Sequence, residues 1–455
     1  MKFSNHTIIV ENYPQPGEHL LYSTRTQALV KINQELKHLV MNFRDMPLEM
    51  KERHQAHVNH LLQMGLVVRD EAEDKKKLQE FQNQLKHGVL KKRFPVTILT
   101  TYACNFKCVY CFQESSRDFE KMSPETAEHA ISWLKSKMEQ FRYDELFLIF
   151  YGGEPLLNKP ILEHIAGHIQ QWCRRHGFDF AFLLQTNGYL MTPEIIEKYK
   201  KIGLSHVRIS VDGVGSDHDR NRPLRGGGGT FDRVMKNIAD CADQIEIGIS
   251  VAYDKGDITP IERLLDYFEE RKVLNKLGRF ICSPVHPTLG GKDTPEKVVG
   301  SSCMCNYEDK LLVETNRKIK ELFEKKKVAT KNGMAISVCP LTRDKAGVTI
   351  DQQGRMFKCN SMLGHPDLST GNVRDADYND RHREFLNLDV WRQCPQDCTY
   401  MPMCSGGCRL MSFLNNKNFK TASCKKPYLN EMAPEYIKRD YDALVAERNK
   451  KKKSA

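Results

Sequence analysis

Cys104-Asn105-Phe106-Lys107-Cys108-Val109-Tyr110-Cys111 places three thiols within eight residues, in a C-x3-C-x2-C pattern. The apolar run Val96 to Leu99 just before it reads as a strand, so the thiols fall on the loop at the strand's end. Three thiolates at this spacing wrap one face of a metal cluster. A structural zinc site wants four closed ligands, whereas a [4Fe–4S] cluster held by three cysteines keeps one iron open to an outside ligand. A second cysteine field lies downstream, as Cys339-x14-Gly354-x4-Cys359, then Cys394-x3-Cys398-x5-Cys404-x3-Cys408, then Cys424, with Cys303 and Cys305 upstream of it. A zinc ribbon, and with it a non-enzymatic zinc-binding interaction module, is the bland alternative for that field. Cys173, Cys241 and Cys282 sit in helix or strand patterns and read as small buried hydrophobes. The histidines show no ligand spacing, and His54, His57 and His60 read as one polar helix face.

The elements that must carry these groups follow from periodicity. Residues 1–103 contain no cysteine. Thr7 to Val10, Leu20 to Ser23 and Ala28 to Ile32 are strand-like; Gln34 to Met41 and Pro47 to Met64 are helical, with Gly65 as the stop and Leu66 to Val68 as a final strand. That order suggests a winged-helix module. Glu71 to Arg93 lacks a strong apolar stripe and reads as a linker, with helix as an option. From Phe94 onward, apolar runs recur at Val96 to Leu99, Leu146 to Tyr151, Phe178 to Leu184, Val207 to Val211, Ile245 to Val251 and Arg279 to Cys282. Ser123-Pro124-Glu125 and Thr192-Pro193-Glu194 each offer an N-cap, a proline at the first helical position and an early acid. Six strands with helices between them predict an α/β fold with a parallel sheet, open or curled into a partial barrel, whose active site lies at the carboxyl ends of the strands.

Composition excludes several classes. The chain of 455 residues has 40% hydrophobic and 28% charged residues and a net charge of +11. Its longest apolar runs fall far short of the roughly 20 residues that cross a bilayer. The opening Met1-Lys2-Phe3-Ser4-Asn5-His6 lacks a signal peptide's apolar stretch, which predicts a cytoplasmic protein with no membrane partner. Fifteen cysteines, an odd number, are better read there as metal ligands than as disulfides. Lys91-Lys92-Arg93 and Lys450 to Lys453 lack interleaved aromatics and read as a solvated linker and a tail, so no nucleic-acid partner is expected.

With the aromatic before its last cysteine, the Cys104 motif resembles that of radical S-adenosylmethionine (SAM) enzymes. The resemblance continues on successive strands, through Tyr151-Gly152-Gly153-Glu154-Pro155, Gln185-Thr186-Asn187-Gly188 and Ser210-Val211-Asp212-Gly213. It implies a partial (β/α)6 TIM-like barrel over residues 89–300 and a [4Fe–4S] cluster on Cys104, Cys108 and Cys111. It also implies SAM contacts from Tyr110, Phe112, Gly152, Gly153, Glu154, Thr186, Asn187, Ser210 and Asp212, with Glu154 toward the methionine amino group. The downstream field resembles the SPASM extension of radical SAM peptide-modifying enzymes, here residues 301–430, followed by a C-terminal helix and basic tail over 431–455. By position, Cys394, Cys398, Cys404 and Cys424 would hold one auxiliary cluster and Cys339, Cys359 and Cys408 another, making three [4Fe–4S] clusters in all. The fourth ligand of the latter is Cys303 or Cys305, or the site stays open.

SPASM enzymes divide mainly into sulfatase activators and peptide maturases. In the activators an Asp base follows the cysteine of the Gly-x4-Cys element; here that residue is Asn360, and an amide cannot accept a proton at neutral pH. Residues 1–88 resemble the winged-helix domain that grips leader peptides, in which the leader adds a strand near Leu20 to Ile32. The expectation is a cytoplasmic radical SAM peptide maturase forming a thioether or carbon–carbon cross-link in a ribosomal precursor peptide. Flavodoxin or ferredoxin would be its electron donor, and a formylglycine-generating activator is the alternative.

Overall fold

The computed structural model describes residues 1–89, 92–111, 113, 119–253, 256–285, 310–328, 334, 336, 338–375 and 377–454, with side chains through residue 449. Phe112, Cys303 and Cys305 lie outside the described residues.

The N-terminal segment opens with β1 (Lys2–Phe3), a strand too short to show a period and not expected from the sequence. Strands β2 (Thr7–Val10), β3 (Glu18–Ser23) and β4 (Leu29–Asn33) form an antiparallel sheet with β3 central. Helix α1 (Gln34–Met41) starts where the Asn33 side chain accepts from the Leu36 N–H. The single helix expected over 47–64 is two, α2 (Leu48–Arg53) and α3 (Gln55–Gln63), broken at His54. Helix α2 buries nothing, while α3 buries Val58 and Leu61, so packing fixes only the second direction. His54 is accordingly no part of a polar face; it is buried at the break, 3.1 Å from Glu35. Gly65 (φ +72) ends this run, and β5 (Val67–Val68) pairs with β1. The stretch read as a linker is mostly helix α4 (Glu71–His87), capped by Asp70 and burying Asp74, Leu78 and Leu85.

All six expected core strands are present: β6 (Arg93–Leu99), β7 (Glu145–Tyr151), β8 (Asp179–Thr186), β9 (Leu204–Ser210), β10 (Glu246–Tyr253) and β11 (Leu277–Pro284). They pair in parallel in chain order. Helices α5 (Pro124–Phe141), α6 (Lys159–His176), α7 (Pro193–Lys200), α8 (Ser216–Asn221), α9 (Phe231–Cys241) and α10 (Thr259–Glu270) connect them. The caps Ser123 and Thr192 accept from the N–H groups of Thr126 and Ile195. Strand interiors such as Val96, Ile98, Leu148, Leu184 and Ile209 are fully buried, as expected for a parallel sheet covered by helices.

The sheet does not stop at residue 300. Strand β12 (Val348–Ile350) lies parallel to β6, and β13 (Met356–Phe357) turns back on β12, giving eight strands in the order β11-β10-β9-β8-β7-β6-β12-β13. The segment between Cys339 and Cys359 is thus part of the core sheet. The N-terminal sheet is also shared: Ile8, Val10, Leu20 and Tyr22 pack with Tyr400, Met403 and with Ala433 and Ile437 of the helix Lys426–Ser454. That helix begins five residues before the expected boundary at 431. Among the described residues no helix is long and apolar enough to cross a membrane.

Candidate functional site

The three-cysteine loop leaves β6 and is held from two sides. On one side, the Gly153 N–H donates to Thr101 O (3.1 Å) and the Glu154 N–H to Ala103 O (2.8 Å). On the other, Lys107 and Val109 donate to the carbonyls of Pro223 and Asn221 (2.9 and 3.0 Å), and Arg225 donates to that of Asn105 (2.8 Å). Phe106, fully buried, anchors the loop edge-on to Tyr189. Gly152 adopts φ +139, and a Cβ on Gly153 would fall on the carbonyl oxygens of Tyr102 and Ala103. Here the glycines admit the cysteine loop's own backbone. Gly153→Ala is therefore expected to push that loop away and lower the iron held by Cys104, Cys108 and Cys111. Iron analysis of the reconstituted variant checks this, and full iron content would show that the loop can yield.

The side chains at the strand ends converge. Glu154 is fully buried; its carboxylate accepts from the Thr186 hydroxyl (2.8 and 2.9 Å), the Asn187 N–H (2.8 Å) and the Leu156 N–H (3.0 Å). Burial raises its pKa, and the Asn187 and Leu156 N–H donors oppose that rise. The Asn187 amide donates to Cys104 Sγ at 3.8 Å and to Asn105 Oδ1 at 2.8 Å, so this residue touches a cysteine ligand candidate directly. Tyr110 donates to Asp212, whose other oxygen accepts from the Ala252 N–H at 2.9 Å.

Sequence reasoning missed Arg222. It is buried, donates to the Tyr110 hydroxyl at 2.6 Å, lies 3.4 Å from Asp212, and its Nε has no partner among the described residues. Burial opposes its charge, yet Cys108, Tyr110 and Asp212 hold it firmly protonated. The available signal was an arginine before a proline, Asn221-Arg222-Pro223, just beyond the Asp212 motif.

A cavity of about 670 Å³ opens over these groups. Its lining combines Tyr110, Tyr151, Ser210, Asp212 and Arg222 from the parallel-sheet core with Asn360, Ser361, Cys408 and Lys425 from the downstream cysteine field. Asn360 accepts from the Thr349 hydroxyl. The structure brings the downstream cysteines into two groups. Burial pushes the Cys339 thiol up to about 12; the Arg409 and Leu341 N–H groups oppose this, and Cys359 and Cys408 add to it. Burial likewise pushes Cys394 up to about 11, with Cys404, Cys398 and Cys424 next. Cys173 and Cys241 are buried among apolar side chains, and Cys282 is half-buried against the same core. One expectation fails. His164 and His168, four residues apart on α6, bring their ring nitrogens and a Glu128 oxygen of α5 within 4.8 Å of one another, so ligand spacing does occur among the histidines, on the protein's surface.

Residues 98–268 match the family described as the Radical SAM superfamily. This segment is a radical SAM domain. The family implies a [4Fe–4S] cluster and SAM. The donor set fits such a cluster, with three thiols on one loop and a buried guanidinium beside them that has a hydrogen-bond donor to spare. The chain is 30% identical over 187 residues to the Fe-coproporphyrin III synthase of Methanosarcina barkeri, a match spanning 40% of this chain and 43% of that relative. It is 26% identical over 348 residues to the same organism's AdoMet-dependent heme synthase, spanning 69% of this chain and 90% of the relative. Among solved structures it resembles native anSMEcpe with bound AdoMet and Cp18Cys peptide, at a TM-score of 0.57 and 17% identity over 76% of this chain and 99% of the other. It also resembles Streptococcus suis SuiB bound to S-adenosylmethionine, at a TM-score of 0.54 and 15% identity over 93% of this chain and 99% of that one. At these identities the likeness is one of fold.

Proposed function

We propose that this radical SAM enzyme is a peptide maturase carrying two auxiliary clusters besides the SAM cluster. In this reading it cross-links a precursor peptide held by its leader and receives electrons from a flavodoxin or ferredoxin. The observation that carries the reading is the cavity itself, which is lined both by Tyr110, Tyr151 and Arg222 and by Cys408, Ser361 and Lys425. A substrate lying in it meets Tyr110 of the three-cysteine loop and Cys408 of the downstream field. Its one described carboxylate, Asp212, is engaged by Tyr110, Arg222 and the Ala252 N–H, and Asn360 stands where a base would be needed. Formylglycine formation needs such a base; formation of a cross-link whose proton leaves to water does not.

Cys104, Cys108 and Cys111 would hold the SAM cluster, with SAM over Gly152 to Glu154 and its carboxylate toward Arg222. Once loaded, that pair supplies a 5′-deoxyadenosyl radical able to take a hydrogen atom from an unactivated carbon. The chain's own residues orient and enclose: Thr186 and Asn187 fix Glu154, Asn187 donates to Cys104, and Tyr110 with Asp212 fixes Arg222. Glu154→Gln is expected to weaken SAM binding by roughly tenfold to hundredfold, the loss of one charge-assisted contact of about 1.5–3 kcal/mol. Titration of SAM into protein of matched iron content reads this, and unchanged affinity would remove Glu154 from the methionine end.

The peptide class is supported by the N-terminal sheet and helices and by SuiB, whose structure bound to precursor peptide SuiA also resembles this chain, at a TM-score of 0.53 over 93% of its length. The heme synthase relatives support a second reading, a tetrapyrrole with a carboxylate at Lys425. The deciding experiment offers the reconstituted enzyme, SAM and a reductant two substrates in parallel: peptides encoded by short reading frames beside the gene, and iron coproporphyrin. The expected product is a peptide lacking two hydrogens with no carbonyl-reactive aldehyde. Decarboxylated porphyrin would replace the peptide reading, and an aldehyde would replace the cross-link.

A further inference from the structure

Arg409 heads the fully buried side chains by size. It follows Cys408 directly, and its guanidinium is surrounded by backbone carbonyls. Nη1 donates to Phe419 O and Thr421 O, both at 2.9 Å; Nη2 donates to Gly406 O and, at 3.4 Å, to Gly407 O; Nε has no partner among the described residues. These carbonyls belong to the loop between Cys404 and Cys408 and to the segment leading to Cys424. Burial opposes the guanidinium's charge, and the strongest opposing influences come from cysteines of both groups, Cys339 and Cys408 from one and Cys404 and Cys394 from the other. Carbonyl dipoles solvate a buried cation without neutralising it, and buried charges in proteins are normally paired. Among the described residues the candidates for the missing negative charge are the thiols of these two groups. A [4Fe–4S] cluster with its thiolates is anionic and gains a further negative charge on reduction, so a nearby buried cation favours the reduced form.

We propose that Arg409 is the shared counter-cation of two auxiliary iron–sulfur clusters, one on Cys339, Cys359 and Cys408 and one on Cys394, Cys398, Cys404 and Cys424, and that it raises the reduction potential of both. The proposal rests on the two-cluster reading above. It differs from a packing role in its signature: charge at this position matters to two clusters at once, while the backbone N–H that Arg409 gives to Cys339 survives any substitution but proline.

The test is redox-titrated electron paramagnetic resonance, with iron analysis, on anaerobically reconstituted full-length wild type, R409Q and R409K. In R409Q the one-electron reduction constants of both auxiliary clusters are expected to fall at least tenfold, about 59 mV each. The cluster on Cys104, Cys108 and Cys111 should not move, and R409K should restore both auxiliary potentials. If R409Q fails to load the auxiliary iron and R409K loads it, the requirement for charge is likewise supported. Auxiliary potentials unchanged in R409Q, a shift in only one cluster, or R409K as defective as R409Q would overturn the proposal. Wild type loading only about four irons per chain would instead overturn the two-cluster reading, before any variant is compared.

Discussion

Replacing Cys104, Cys108 and Cys111 together with alanine is expected to lower bound iron from about twelve to about eight per chain and to abolish 5′-deoxyadenosine formation. The loop that carries them is tied to residues 153–154 and 221–225, whereas the downstream cysteines are carried by other segments. The loss should therefore stay local. Iron analysis and chromatography of the SAM cleavage products check both halves. Continued formation of 5′-deoxyadenosine would remove the SAM cluster from these residues, and loss of all iron would show that the sites load together.

Deleting residues 1–88 should have the second-largest effect, and its pattern differs from the sequence-based expectation. A domain that only captured a leader would leave every cluster standing on removal, with peptide modification lost because the tether's effective concentration is gone. In the structure one face of that domain's sheet is packed against the second cysteine group. Ile8, Val10, Leu20 and Tyr22 meet Tyr400 and Met403; His6 Nδ1 lies 3.2 Å from Cys398 O, and the Thr24 hydroxyl donates to Thr399 O at 2.6 Å. Leu78 of α4 packs with Trp391 and Met401 beside Cys394 and Cys398. Truncation is thus expected to cost roughly four irons along with peptide modification, while uncoupled SAM cleavage continues. Leader peptide added in trans should not restore modification. Equal modification per loaded enzyme by the truncated and full-length proteins would show that the segment does not capture the substrate. Full iron content after truncation would show that its packing on Tyr400 and Met403 is dispensable.

Much of the core was legible along the chain. Each of the six parallel strands is a short, nearly continuous apolar run because both of its faces are covered, and its helices announce themselves through Ser123, Thr192 and the prolines that follow them. The cysteine motif was equally plain, because its three thiols are neighbours in sequence and any folded loop brings them together.

What the tertiary structure alone decided are pairings between distant segments. Strands β12 and β13, three and two residues long, show too little periodicity to be read as members of the core sheet; their place beside β6 comes from packing. Arg222 and Arg409 look like surface arginines in sequence, since nothing local marks a guanidinium for burial. One becomes a site residue because Tyr110, 112 positions away, and Asp212, 10 positions away, fold against it, the other because carbonyls from two loops of the downstream cysteine field enclose it. The division has one physical cause. Local propensity and periodicity are properties of neighbouring residues, whereas desolvation and the electric field at a buried charge depend on groups that only the folded chain brings within a few ångströms.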